Sequence, residues 1–300
     1  MNNSISLQNK KILILACTTA VVSVLFSFMG APFLRALSAK ANPILFWSVG
    51  ALITAILFLG QLTLGAIYVG AVWTTLGCYS ELEKRGVSWK KTSLFAVSMG
   101  TLFAVISYLL LAESSLKINL AEQMTTPILN TMNQINPNEK ISIEKLMTYM
   151  PGALIATLIC SLAVGLIFES KIFQLFQFKR EKIISSLKWL EFRLPDQFIW
   201  LALVGFLFCL LKIELFTTAV NPETVKTIAI NISIFTGVAF FLQGITVFEY
   251  LTRFYRVGMF NKSLIYVLIF VWLAPAIGLV GLLDYWVDFR KMLRKNLAKG

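Results

Sequence analysis

Long apolar runs without a charged residue constrain the fold of this chain more than any other feature. They carry no Lys, Arg, Asp or Glu, and they cover residues 12–34, 41–80, 92–112, 146–168, 227–248 and 263–283, with a shorter run at 197–211. A helix of about 20 apolar residues matches the thickness of the hydrocarbon core of a bilayer. The sequence therefore predicts an all-α fold, a polytopic transmembrane helix bundle.

The composition supports a single integral membrane domain over residues 1–300. Hydrophobic residues make up 57% of the chain, and charged residues make up 14%, whereas soluble domains carry about 25% charged residues. The longest polar stretch, 113–145, is too short to bury a core of its own and is interpreted as an external insertion.

The net charge of +12 comes from basic residues grouped in short loops beside the apolar runs, at 81–91, 171–193 and 249–262, and in the tail after residue 289. Basic loops of this kind are retained in the cytoplasm and face anionic lipid headgroups. The bilayer is therefore the expected partner. A nucleic-acid partner is not expected, because no separate basic module exists.

Cytoplasmic placement of these loops orients the middle of the chain. The run 92–112 crosses outward, and 146–168 returns. The run 41–80 is long enough for two spans, with a break between Gly60 and Gly65. With 12–34 as a retained first helix, we expect about eight membrane segments.

The last apolar run, 263–283, leaves two alternatives open. As a full span it places the basic tail outside, which the positive-inside bias disfavours. As a re-entrant hairpin broken at Ala274-Pro275-Ala276 it returns the tail to the cytoplasm. Pro32 is a candidate for a similar break in the first run.

The cytoplasmic segment 171–193 has apolar residues at helical spacing with basic residues between them, a pattern typical of an amphipathic helix on the membrane surface. Such a helix either anchors the chain on anionic lipid or forms a docking surface for a partner.

Catalytic and metal-binding motifs are absent from the sequence. It contains no phosphate loop, no dinucleotide fingerprint and no His, and its four Cys all lie inside apolar runs. Because His, the commonest general base and metal ligand, is missing and the Cys residues are interpreted as packing residues, we expect no enzyme activity, no metal and no cofactor.

Polar residues inside the apolar runs are the candidates for a ligand site, since burying them costs free energy. Thr236 and Gln243 share one face of the run 227–248, and Asn231 and Glu249 share another. These faces either line a ligand cavity or make hydrogen bonds between helices, worth about 0.6 kcal/mol each.

The string Gly281-Leu-Leu-Asp-Tyr-Trp-Val-Asp-Phe-Arg-Lys291 is the most individual in the chain. Asp284 and Asp288 are one helical turn apart, and Trp286 suits the headgroup region. The string is either a helix that leaves the membrane with an aromatic and basic anchor, or a motif in which Asp284 faces inward and Arg290 holds a partner or lipid.

Leu242-Gln243-Gly244, followed about forty residues later by this string, resembles the YybS-like family of bacterial membrane proteins. The resemblance implies a multi-pass protein of the bacterial inner membrane, distantly similar to the solute-binding S components of energy-coupling-factor transporters. S components work with a membrane coupling subunit and two ATPases, and their first helix commonly offers an Ala-x-x-x-Ala face to that subunit. Ala16 and Ala20 match this pattern. The resemblance carries over no ligand-binding residue, so the small molecule stays unknown.

Two functions therefore compete. The first is a small-solute-binding or transport subunit with an external cavity lined by Thr236 and Gln243. The second is a non-transport envelope scaffold or lipid-associated interaction protein, with the function on the segment 171–193 and the basic tail.

Overall fold

The computed structural model describes residues 2–25, 30–113, 126, 143–178, 189–211 and 221–292. The regular structure in these ranges is helical. The helices are α1 (Asn2–Leu25), α2 (Ala31–Lys40), α3 (Pro43–Leu59), α4 (Thr63–Lys84), α5 (Trp89–Glu113), α6 (Ile143–Leu175), α7 (Gln197–Leu210), α8 (Pro222–Phe254), α9 (Met259–Leu268) and α10 (Ala274–Val287). Most of the predicted external insertion 113–145 and residues 179–188 of the predicted amphipathic segment lie outside the described residues.

Three of the described helices are long and apolar enough to cross a membrane, over Trp89–Leu111, Leu146–Leu175 and Pro222–Phe254. Three shorter apolar helices are Pro43–Leu59, Gln197–Leu210 and Ala274–Val287. The prediction of an all-α architecture with several membrane-length helices is confirmed within the described chain.

The run 41–80 forms two helices, as predicted. Helix α3 ends at Leu59 and α4 begins at Thr63. Gln61 has a φ of 62°, in the left-handed region that breaks a helix. The break therefore lies in the predicted stretch.

The run 12–34 is not one helix, so the prediction of a single continuous first helix is wrong, and the alternative of a break near Pro32 fits the structure. Helix α1 is described to Leu25, and α2 starts at Ala31 with Pro32 in its first turn. A side chain at Gly30 would lie only 2.9 Å from the Cα of Ser23, so the chain has turned back on itself. Proline suits a helix start because its missing N–H has no partner there in any case.

The re-entrant hairpin proposed at Ala274-Pro275-Ala276 is also wrong. Helix α9 continues through a π-helical turn at Ile269–Leu273 directly into α10. Pro275 lies in the first turn of α10. A π-turn removes the clash that a proline ring makes with the preceding turn of a regular helix, so helical structure continues past the proline.

The chain divides into two compact units. Unit 1 comprises Met1–Met150 and Thr157–Ser186, and unit 2 comprises Pro151–Ala156 and Leu187–Gly300. In unit 1, α4 is central and packs against α2, α3 and α5. In unit 2, α8 is central and packs against α7 and α10.

Helices α8 and α10 approach closely because a glycine on each helix lies against the backbone of the other helix. A side chain on Gly244 would overlap the Ile277 carbonyl, and one on Gly281 would overlap the Phe240 carbonyl. Small residues allow such backbone contact between membrane helices.

Candidate functional site

A cavity of about 540 Å³ lies in unit 1 between α3, α4 and α5. Its walls are mainly aromatic and small apolar side chains, and the described residues that line it include no Lys, Arg, Asp or Glu. The residues that matter for its chemistry are Trp47, Thr54, Phe58, Trp73, Thr74 and Phe103. We call it the α3–α5 cavity.

Two glycines let aromatic rings form the walls of the α3–α5 cavity. A side chain on Gly50 would overlap the Trp73 indole, and one on Gly70 would overlap the Phe103 ring. Trp73 is held in place because its Nε1 donates to the Phe46 carbonyl oxygen at 3.1 Å. The rings therefore lie directly against helix backbone.

Among the described residues, three hydroxyl side chains line the cavity, those of Thr54, Thr74 and Ser107, and the two threonines are hydrogen-bonded within their own helices. Thr54 Oγ1 donates to the Gly50 carbonyl oxygen at 2.8 Å, and Thr74 Oγ1 donates to the Gly70 carbonyl oxygen at the same distance. Since each hydroxyl proton is already used, each oxygen has only lone pairs to offer, as a hydrogen-bond acceptor.

A second polar site in unit 1, the Arg35 cluster, consists of Arg35 on α2, Glu83 on α4 and Glu169 on α6. Arg35 Nη2 donates to Glu83 Oε2 and lies 3.6 Å from Glu169 Oε1. Arg35 is only 2% exposed, and both carboxylates are buried. The Tyr79 ring lies 5.3 Å from the guanidinium carbon.

The Arg35 cluster was not predicted from the sequence. Each of its charges stands at the edge of an apolar run, where a charged residue usually reaches the headgroup region. The folding back of α2 against α4 brings the three charges together. The useful signal was Arg35 itself, which with Lys40 is one of two charged residues between the apolar runs 12–34 and 41–80.

In unit 2 the structure brings Gln243, Asp284 and Arg290 together, and we call this the Gln243 network. Gln243 Oε1 accepts from the Leu194 N–H at 3.0 Å, while its Nε2 donates to the Gly281 carbonyl oxygen at 3.0 Å and to Asp284 Oδ2 at 3.3 Å. Arg290 Nη2 donates to Asp284 Oδ2 at 2.6 Å. Gln243 and Asp284 are each 1% exposed.

Arg290 also connects the end of α10 to the segment before α7. Its Nη1 donates to the carbonyl oxygens of Leu190 at 3.2 Å and Phe192 at 2.8 Å. Asp288, at the end of α10, lies 3.6 Å from the Arg193 guanidinium, and Trp286 is exposed. The two ends of the motif thus differ, since Asp284 faces the interior while Trp286 faces outward.

The other predicted ligand residues lie elsewhere in unit 2. Thr236 donates to the Ile232 carbonyl oxygen at 2.7 Å within its own helix, and Asn231 Oδ1 accepts from the Gly152 N–H at 2.5 Å. Glu249 accepts hydrogen bonds from side chains of Arg253, Lys262 and Tyr266. Neither these residues nor Gln243 line the α3–α5 cavity, and a ligand role for them stays a prediction.

The two alanines of the predicted partner face on α1 differ in burial. Ala16 is buried and Ala20 is partly exposed. A partner role for this pair also stays a prediction.

Helices of membrane length, and buried charges that lie in paired clusters among the residues that the structure describes, define a multi-pass helical membrane protein. A family model described as "Predicted membrane protein (DUF2232)" matches residues 11–285. The chain therefore belongs to this family. No curated protein and no solved structure matches it.

Proposed function

We propose that the protein is a membrane subunit that binds a small solute, and that the α3–α5 cavity is its binding site. The observation that carries the proposal is the cavity itself, at about 540 Å³. Small-molecule sites are clefts of about 300–1,000 Å³ with mostly apolar walls and a few polar groups. The α3–α5 cavity lies in unit 1, whereas Thr236 and Gln243, around which an external cavity was expected, lie in unit 2.

The resemblance to the YybS-like family and to energy-coupling-factor S components supports a role in transport. Because the sequence has no phosphate loop, the energy would come from a coupling subunit with ATPases or from a gradient. The bacterial inner membrane is the proposed location. We propose binding rather than catalysis, since the lining residues offer no acid or base pair.

The test is mass spectrometry of the protein purified in mild detergent, with a variant that fills the cavity. Ala55 lines the cavity, and Ile56 beside it does not. A stoichiometric small molecule should accompany the native protein and the Ile56→Phe control but be lost from Ala55→Phe. A native protein that carries no small molecule, or an Ala55→Phe variant that keeps it, would contradict the proposal.

A lipid-associated scaffold is the second candidate function, and the outer surface of α9 and α10 favours it. Phe260 on α9 and Trp272 in the π-helical turn before α10 are each about four-fifths exposed, and Trp286 is exposed near the end of α10. Large exposed apolar side chains of this kind contact lipid or a partner. If this function is correct, a variant with Lys179, Arg180 and Lys182 neutralised should fail to complement cells that lack the protein. The Ala55→Phe variant should complement them as well as the native protein does.

A further inference from the structure

We propose that the α3–α5 cavity takes an uncharged, lipophilic alcohol that reaches it sideways from the bilayer. This inference rests on the proposed function, in which the cavity binds a solute. It adds the chemical class of the ligand and the direction from which the ligand arrives.

The charge of the ligand follows from the walls. None of the described residues that line the cavity carries a charge. Moving an ion from water into apolar surroundings is costly unless a counter-charge meets it. A charged solute is therefore disfavoured, while an apolar body can pack against the rings of Trp47, Phe58 and Phe103.

The direction of access follows from the rim. Leu110 lines the cavity and is 65% exposed, and Leu59, next to the lining residue Phe58, is 81% exposed. Trp47, at the other end of α3, is 37% exposed. A rim of exposed apolar side chains on membrane helices contacts hydrocarbon rather than water, so a molecule dissolved in the bilayer can move in laterally.

The hydroxyl requirement follows from Thr54 and Thr74. Both hydroxyl protons are donated to helix carbonyls, so both oxygens can only accept. A ligand that satisfies them must donate, and an alcohol is the simplest uncharged lipophilic group that does so. A plain hydrocarbon would leave both acceptors without a ligand partner.

The experiment uses quenching of tryptophan fluorescence by brominated chains of equal length, with the full-length protein in phosphatidylcholine nanodiscs. The three probes are a dibrominated fatty alcohol, the corresponding fatty acid and the corresponding alkane. The signal from the cavity is the part of the quenching that is lost in Trp73→Phe, since Trp73 lines the cavity and is only 2% exposed, whereas exposed tryptophans contact lipid directly. The variants are Ala55→Phe, to fill the cavity, and Thr54→Val with Thr74→Val, to remove both acceptors. Ile56→Phe and Thr101→Val are the matched controls.

We expect saturable quenching by the alcohol, with about tenfold weaker binding of the alkane, as one lost neutral hydrogen bond implies. The ionised acid should bind more weakly still, because no counter-charge is present among the described residues that line the cavity. The double threonine variant should bind alcohol and alkane equally, and Ala55→Phe should abolish saturation. Equal binding of all three probes to the native protein would overturn the alcohol class. So would a water-soluble molecule that co-purifies and is lost in Ala55→Phe, although the solute-binding function would then stand. No saturable probe and no co-purifying molecule would overturn both.

Discussion

Arg35 on α2 and Glu83 on α4 form an ion pair that is almost completely buried, 48 residues apart in the chain. The pair joins a short helix that folds back after α1 to the central helix of unit 1. Glu169 extends the contact to α6. One guanidinium therefore ties three helices together.

Replacing Arg35 with Ala should destabilise the protein strongly. The substitution leaves Glu83 and Glu169 beside each other without their shared cation, and breaking a buried pair in this way costs about 3–5 kcal/mol. The measurement is the thermal unfolding midpoint in detergent. Arg85→Ala, on an exposed residue two positions from Glu83, is the control and should change the midpoint little. Equal midpoints for the two variants would show that the cluster adds no stability.

Gln243→Leu should lower the stability of unit 2. The variant has nearly the same volume but leaves the Leu194 N–H without its acceptor and Asp284 without one donor. An unsatisfied buried polar group costs about 1–3 kcal/mol. Unfolding in a denaturant series, with exposed Gln174→Leu as the control, measures the effect. A Gln243→Leu variant as stable as the control would favour a ligand role over a structural one for this amide.

Gly281→Ala should destabilise the contact between α8 and α10, because the added methyl group would overlap the Phe240 carbonyl and neither backbone can move cheaply. Gly237→Ala is the matched control, since nothing lies within 4 Å of its added carbon. In that variant, the better helix propensity of Ala should raise stability by up to about 1 kcal/mol. Thermal midpoints that shift in the same direction for both variants would contradict the close packing.

Arg290→Ala should release the segment Trp189–Leu194 from the end of α10. The side chain donates to the carbonyl oxygens of Leu190 and Phe192, and the substitution removes both bonds together with the cation beside Asp284. Hydrogen exchange measured by mass spectrometry should show faster exchange in this segment. Lys291→Ala, on an exposed neighbour, should leave exchange unchanged. Slow exchange in both variants would mean that other contacts hold the segment.

The predictions made from sequence succeeded where a single local cause decides the structure. The division of 41–80 was predicted from its glycines, Gly60 and Gly65, which leave the helical conformation easily. The left-handed turn itself falls on Gln61, which the sequence does not indicate because Gln favours helices. The structure of the run 263–283 was harder to predict, because a proline such as Pro275 usually breaks a helix. A π-turn before it accommodates the ring, and nothing in the sequence announces that turn.

The two parts of the motif that first suggested a family meet in the fold. Gln243 and Asp284 are far apart in sequence, yet the close approach of α8 and α10 places them within hydrogen-bond distance. Spacing along one helix identified which residues share a face, but it does not identify which helix that face meets. The Gln243 network could therefore not be derived from the chain alone.

The sequence by itself determined that this protein is helical, that it lies in a membrane and roughly where its helices begin and end. Apolar length and charge placement act locally on each segment, so each segment carries its own signal. Only the tertiary structure decided which polar groups satisfy one another and where a cavity forms. Those outcomes depend on contacts between distant helices, such as α2 against α4 and α8 against α10, for which no single segment contains the information.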